Sequence, residues 1–350
     1  MKQHSSRRRL LALPLAALLA ASLVALPACG SASGAGNDVS TSTATSANAK
    51  SGKSGKAKSG KAEKSKAYTF TDDLGRKVTV KSHKRVVACM GSFADAWQLA
   101  GGTLVGASDD AFGHYAVDSS KVSGVGRSTS LNLESIIALK PDFVIMTGIS
   151  DGKHTTGVSQ ADAESALKEA GIPVAFFKVT TFDDYKRMMG VFCAITGRDD
   201  LYKKNVTKVG EKIKSAVSTY SVKSKSPSVL IVSAFSKGLV VQNSSGMAGA
   251  IVKDLGAVNV ADEHPSLLSD FSLEAAVEAN PDYVLVLAAS DDTATAQKYY
   301  DQVVGSNSAW QGMDAVKEGR VTMLDAAHFL YKPNADWAES YVLAGKALNK

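Results

Sequence analysis

The sequence predicts an α/β protein of two Rossmann-like lobes, each with a mostly parallel sheet, joined by one long helix and enclosing a ligand cleft. Three observations carry that expectation. A helix-then-strand segment occurs twice, with matching positions 140 residues apart. Asn132-Leu133-Glu134 leads to Pro141-Asp142-Phe143-Val144-Ile145, and Ser272-Leu273-Glu274 leads to Pro281-Asp282-Tyr283-Val284-Leu285. Short apolar runs alternate with helical periodicity around both copies, as in parallel sheets covered on two faces. Finally, about 280 residues run from Tyr68 to Lys350, enough for two domains of ordinary size.

The elements follow in order. Arg7-Arg8-Arg9 precede an apolar stretch, Leu10 to Leu26, that exits through Pro27-Ala28-Cys29. This pattern reads as a secretory signal peptide over residues 1–28. A spanning helix is the alternative, but the stretch is short and holds Pro14. Leu-x-Ala-Cys resembles the bacterial lipobox, which implies that Cys29 carries a lipid. Residues 29–67 are Ser, Gly, Ala, Thr and Lys with almost no large apolar side chains, the composition of a flexible tether. Its lysines suit an anionic lipid or wall surface, or simply a solvated spacer. They also distort the charge: removing the 11 Lys/Arg and 2 Asp/Glu of residues 1–67 from totals of 40 and 34 leaves 29 and 32, near −3. No basic nucleic-acid footprint survives.

Residues 68–181 form the first lobe. Tyr68–Val80 reads as a hairpin around Asp72-Asp73-Leu74-Gly75. Strands at Arg85–Met90, Leu104–Ser108, Phe143–Met146 and Pro173–Phe177 are separated by helices near Phe93–Ala100, Leu133–Lys140 and Ala161–Ala170. Asn132 and Ser272 are N-caps, whose short side-chain oxygens accept from first-turn N–H groups. Pro141 and Pro281 stop the helices. Residues 182–225 read as the helical connector, with a possible break near Thr196-Gly197-Arg198. Residues 226–350 form the second lobe, with strands at Val229–Ser233, near Val241, at Tyr283–Leu287 and at Val321–Leu324. Its helices are expected at Ala248–Leu255, Leu273–Asn280 and Asp336–Leu348. Cys89 and Cys193 read as buried free thiols, with a disulfide as the alternative in an exported chain.

On these pieces the chain resembles the substrate-binding lipoproteins of bacterial ABC importers for iron–siderophore complexes, haem and cobalamin. Phe70–Val80, Lys84-Arg85-Val86-Val87, Asn132–Asp142, Leu255–Val260 and Trp310–Val321 carry the resemblance, which covers nearly all of residues 68–350. It implies lobes with a small hinge motion, and a glutamate in each lobe, Glu134 and Glu274, docking on arginines of a permease dimer. A pseudo-symmetric pair of acids suits a symmetric dimer, and arginine forks fix carboxylate orientation. The plain alternative is that each Glu complements its helix dipole, worth about 0.3–1 kcal/mol.

Ligand contacts are expected at strand ends facing the cleft. Met90-Gly91-Ser92-Phe93 opens a helix whose N–H groups suit an anionic group. Phe112 and His114 lie in the loop after the next strand. Arg127 suits a carboxylate, and Thr147 ends the Pro-Asp strand. Gln242, Asn243, His328 and Tyr331 are the second-lobe candidates. Phe93 and Phe112 read equally as core; Met90 with His328 as haem ligands is a lesser alternative.

No phosphate loop, nucleophile elbow or metal-ligand cluster is apparent, so a binding protein is favoured over an enzyme. The sequence carries no signal for an intrinsic cofactor. The leading ligand is an iron complex, siderophore or haem; cobalamin and an oxyanion follow, and a surface adhesin, a sensor or an exported enzyme on the same fold are further alternatives. The expected partners are a permease dimer, its ATPase and the membrane. The expected state is a lipid-anchored monomer on the outer face of the cytoplasmic membrane.

Overall fold

The computed structural model describes residues 67–148, 160–269 and 271–350. The signal segment, Cys29 and the tether to Lys66 lie outside the described residues. Strands β1 (Tyr68–Thr71) and β2 (Lys77–Val80) form the expected antiparallel hairpin, with Tyr68 opposite Val80. At its turn Asp72 Oδ1 accepts from the N–H groups of Leu74 and Arg76 at 3.1 and 2.9 Å. Gly75 adopts φ +79°, where a β-carbon would be strained.

Five strands build the first sheet: β3 (Val86–Ala88), β4 (Leu104–Ala107), β5 (Ser123–Gly124), then, after a small hairpin of β6 (Gly126–Arg127) and β7 (Ser130–Leu131), β8 (Phe143–Thr147) and β9 (Val174–Phe177). Their order is β5-β4-β3-β8-β9, parallel throughout. Alternate residues bury on opposite faces, which explains the unbroken apolar runs. Val86, Ala88, Phe143, Ile145 and Phe177 face one core, while Val87, Val144, Met146 and Phe176 face another.

The second sheet holds β10 (Ser228–Phe235), β11 (Gly238–Gln242), β12 (Val258–Asn259), β13 (Tyr283–Ala288) and β14 (Val321–Leu324). Its order is β11-β10-β13-β14, with β12 beside the start of β10. β10, β13 and β14 are parallel, but β11 turns back antiparallel along β10.

The connector breaks where Gly197 takes φ +70° and caps helix Phe182–Thr196. A second helical run, 199–220 with a π turn at Lys203–Thr207, then passes between the lobes. It starts against the first lobe, where Asn205 Nδ2 donates to Leu99 O at 2.8 Å. It ends at the second, where Val222 N donates to Leu255 O at 2.8 Å. One core is continuous from Phe143 and Phe177 through Ile213 and Ala216 to Ile231, Leu285 and Trp337. Such a core resists large relative motion of the lobes.

The structure also gives the repeated Pro-Asp its physical reason. Asp142 accepts from the N–H groups of Lys84 and Arg85, each at 3.0 Å, just before β3. Asp282 accepts from Ser228 N at 2.8 Å and Ser228 Oγ at 2.9 Å, at the start of β10. In each lobe the aspartate ties its own strand to the neighbouring strand's entry. Lys140 and Asn280 precede the two prolines in the left-handed region, at φ +46° and +35°. Cys89 and Cys193 are buried and free.

Candidate functional site

In the first sheet the strand order reverses at β3, between β4 and β8, and a crevice opens outside the carboxyl ends of strands at such a point. Cys89–Ser92, Ser108–Tyr115 and Thr147-Gly148 follow those ends. In the second lobe the matching edge carries Phe235–Lys237, Ala289–Asp292 and Asp325–Asn334.

The last segment crosses to the first lobe as a strap. Tyr331 stacks on His114 with ring centroids 4.0 Å apart and an interplanar angle of 23°. His114 Nδ1 lies 3.3 Å from Asp291 Oδ1. Burial and the hydrogen bond to Asp291 push the Tyr331 phenol up to about 12. Tyr115 donates its hydroxyl to Lys332 O at 3.2 Å, and burial raises that phenol strongly. Asn334, itself in the left-handed region, donates through Nδ2 to Ser92 O at 2.8 Å and Asp95 Oδ2 at 2.7 Å. Burial pushes the Asp95 carboxyl upward, partly offset by that hydrogen bond.

His114 and Tyr331, named separately from sequence, thus form one cross-lobe aromatic pair. His328 sits on the same edge, its Nδ1 2.8 Å from Asp325 Oδ1. Met90 is the half-buried N-cap of helix Gly91–Leu99, and half-buried Thr147 ends β8. Phe112 is half-buried against the main core. Arg127 is exposed on the β6–β7 hairpin, with no ion pair among the described residues.

Four expectations need correction. The Gly91 N–H is not open to a ligand, because Asp110 Oδ2 accepts from it at 2.8 Å. Ser92 is 2% exposed, its carbonyl taken by Asn334. Phe93 is wholly buried and packs edge-on against Phe177 in the core. Gln242 and Asn243 lie at the wrong edge. β11 runs antiparallel, so its end returns toward the start of β10, with Gln242 opposite Ile231. Asn243 Oδ1 there accepts from Ser245 in a local turn.

Sequence reasoning took in Lys332 only as part of the segment His328–Asn334 after the last strand, and passed over Asp291. Neither sits in a motif, and only the fold brings both to the strap. A cavity of about 830 Å³ lined by Arg76, Asp142, Glu164 and Lys168 lies elsewhere. Its Pro141 and Pro173 precede β8 and β9, placing it at the amino ends of the strands, away from this chemistry. Among the described residues no three His, Cys, Asp or Glu side chains gather as a metal site.

Glu134 and Glu274 are both exposed in the first turns of helices Leu133–Ala138 and Leu273–Ala279. Asn132 Oδ1 caps the first by accepting from Ser135 N at 2.9 Å, and Ser272 Oγ caps the second from Ala275 N at 3.2 Å. Each helix leads directly into a parallel strand, so its amino end lies at the strands' carboxyl edge, the cleft side.

The profile of a family described as periplasmic binding protein matches residues 86–327. The iron(3+)-hydroxamate-binding protein FhuD of Bacillus subtilis (strain 168) is 26% identical over 281 residues, covering 76% of this chain and 82% of the relative. The siderophore-binding protein BauB, solved with two acinetobactin molecules and ferric iron, superposes with a TM-score of 0.63 at 18% identity, covering 81% of this chain and 99% of its own. S. aureus IsdE complexed with haem superposes with a TM-score of 0.61 at 16% identity, covering 77% and 100%. At such identities the superpositions speak for the fold alone.

Proposed function

Because this chain belongs to the periplasmic binding protein family, we propose that it is the solute-binding component of an ABC importer, holding a ferric hydroxamate in the inter-lobe cleft. It then delivers that ligand to a permease dimer driven by an ATPase. The observation that carries the reading is the pair of exposed, equivalently capped glutamates on the same edge as the cleft. Twin acids on matched lobes suit the two-fold arrangement of a dimer. The iron-hydroxamate relative supports the ligand class, since it matches over most of both chains. The aromatic faces of His114 and Tyr331 suit the apolar periphery of an iron chelate. A lipid on Cys29, followed by the tether of residues 30–67, would hold a monomer to the outer face of the cytoplasmic membrane.

Intrinsic fluorescence tests the ligand, because Trp97, Trp310 and Trp337 are all buried reporters. The full-length protein is titrated in parallel with a ferric trihydroxamate, haem and cobalamin. Saturable quenching by the hydroxamate is expected. Saturation by haem or cobalamin with none by hydroxamates would refute the ligand class.

A further inference from the structure

The cavity of about 830 Å³ at the amino ends of the first sheet plays no part in the proposed function. Four cations, Arg76, Lys77, Lys81 and Lys168, line it against two carboxylates, Asp142 and Glu164. Both acids are committed within the protein. Asp142 accepts from the Lys84 and Arg85 N–H groups, and Glu164 pairs with Arg76 at 2.5 Å. Arg76 is also held by Asp72 and lies over the Phe176 ring, 4.3 Å from its centroid. The exposed rim is therefore Lys77, Lys81 and Lys168. Lys84, whose N–H Asp142 holds, and Lys140, next to Pro141 of the lining, are exposed beside it. This local positive excess sits on a folded region whose balance is near −3. Val78, Ile172 and Val174, buried or half-buried, give the cavity an apolar side.

The place of the cavity along the chain says which surface it meets. Tyr68 pairs with Val80 in the hairpin, so the tether joins the fold next to Lys81 and Ser82, which both line the cavity. The tether's own seven lysines, from Lys50 to Lys66, end at that point. Each basic side chain near an anionic leaflet strengthens attraction by up to about five-fold. A phospholipid headgroup also matches the cavity's two characters: its phosphate suits ammonium groups, and its glycerol carbons suit the apolar side.

Resting on the reading of a membrane-tethered chain, we propose that this cavity is a docking site for anionic phospholipid headgroups, seating the first lobe on the bilayer beside its own tether. The seat lies at the amino ends of the strands, opposite the carboxyl edge that carries the cleft, Glu134 and Glu274. A molecule held this way keeps its cleft open for capture. It must leave the lipid to present both acids to a permease.

The test is flotation with lipid vesicles of residues 29–350 carrying Cys29→Ser, so that no attached lipid contributes. The elements described above all lie within residues 67–350, so this form retains them. Binding is expected to vesicles of phosphatidylglycerol mixed with phosphatidylcholine, but not to phosphatidylcholine alone, and it should fall as salt rises. Lys77→Gln, Lys81→Gln and Lys168→Gln combined should weaken binding by about ten- to one hundred-fold. Their thermal midpoint should stay unchanged, because all three side chains are exposed. Lys208→Gln, Lys212→Gln and Lys214→Gln combined remove the same charge from the exposed face of the connector, and should change binding by about three-fold or less. Equal binding to both vesicle types, no loss in the cavity variant, or an equal loss in the connector variant would overturn the docking site. Fractionation of cells producing the unaltered chain tests the tether separately. Its recovery in the soluble fraction would overturn the tethered reading, and the seating role with it, even where vesicles still bind.

Discussion

Asp72 is the residue on which the amino-terminal hairpin depends, and its replacement has a size that follows from its contacts. The carboxylate is buried, at 4% residue exposure. Oδ1 accepts from Leu74 N and Arg76 N; Oδ2 accepts from Phe176 N at 3.1 Å and pairs with the Arg76 guanidinium. Three backbone donors and one ion pair therefore converge on a single group, and one of those donors belongs to β9. Hydrogen bonds to charged groups contribute about 1.5–3 kcal/mol each, but not additively. Arg76 keeps a second partner in Glu164 and is partly exposed, which limits the damage. Asp72→Ala should therefore cost about 3–4 kcal/mol, within the range for removing one partner of a buried pair. Asp72→Asn should cost nearly as much, because its amide N–H₂ would face the Phe176 N–H or the guanidinium, donor against donor. Urea unfolding, read as a shift in midpoint at constant slope, measures this. The acid limb gives a second readout. Burial alone would raise the Asp72 pKa, but the Arg76 and Phe176 hydrogen bonds lower it overall, so its stabilisation is present above the usual carboxylate range and is lost as pH falls through it. The Asn variant should thus lose less stability on acidification than the unaltered protein. A cost under about 1 kcal/mol would refute the picture of the hairpin as pinned by this carboxylate.

Three further outcomes are expected. Reversing both acids, Glu134→Arg with Glu274→Arg, should abolish uptake in cells while ligand titration of the purified protein stays within about two-fold, because both side chains are exposed. Gly91→Ala should destabilise by about 1–3 kcal/mol in thermal or urea unfolding, since a β-carbon would sit 2.7 Å from Asp110 Oδ2 and 2.8 Å from the Ala111 N. Ultraviolet titration should show the Tyr331 phenol ionising near 12, above an ordinary tyrosine, with the larger part of the excess, due to burial, retained in Asp291→Asn and only the part due to the Asp291 carboxylate lost.

The fold was legible because its two lobes repeat a local signal. Caps at Asn132 and Ser272, stops at Pro141 and Pro281, and the buried strands after them are all determined within a dozen residues. Strand β14 lies where its apolar run placed it, and helix Trp337–Ala347 differs from expectation by one residue at each end. The site was less legible, because its geometry depends on strand direction and on long-range contact. Val240-Val241-Gln242 reads as an apolar run ending in polar residues whichever way the strand points. Only pairing with β10 decides that Gln242 faces away from the cleft edge. Phe93 sits in a loop-to-helix position that favours ligand contact by sequence, yet its ring completes a cluster with Phe177 and Phe192 that no local pattern reveals.

Under the proposed function, the repeat bears on how binding is linked to delivery. Asp142 and Asp282 fix each strand, β8 and β13, to the strand beside it, and the capped helices just before them carry Glu134 and Glu274. Each glutamate is therefore set relative to its sheet by a short, rigid path of helix, proline and clamp. A change in the angle between lobes must then move the two acids relative to each other, since nothing flexible intervenes. The strap runs between those lobes through the Tyr331–His114 stack and the Asn334 bonds to Ser92 and Asp95. On the proposed docking role of the two acids, a ligand that displaces or reinforces these contacts is reported to the permease as a change in acid spacing. The continuous core through Ile213 and Trp337 keeps that change small. Small shifts suffice when recognition uses paired arginine–carboxylate contacts, whose two-pronged geometry is sensitive to displacements of about an ångström.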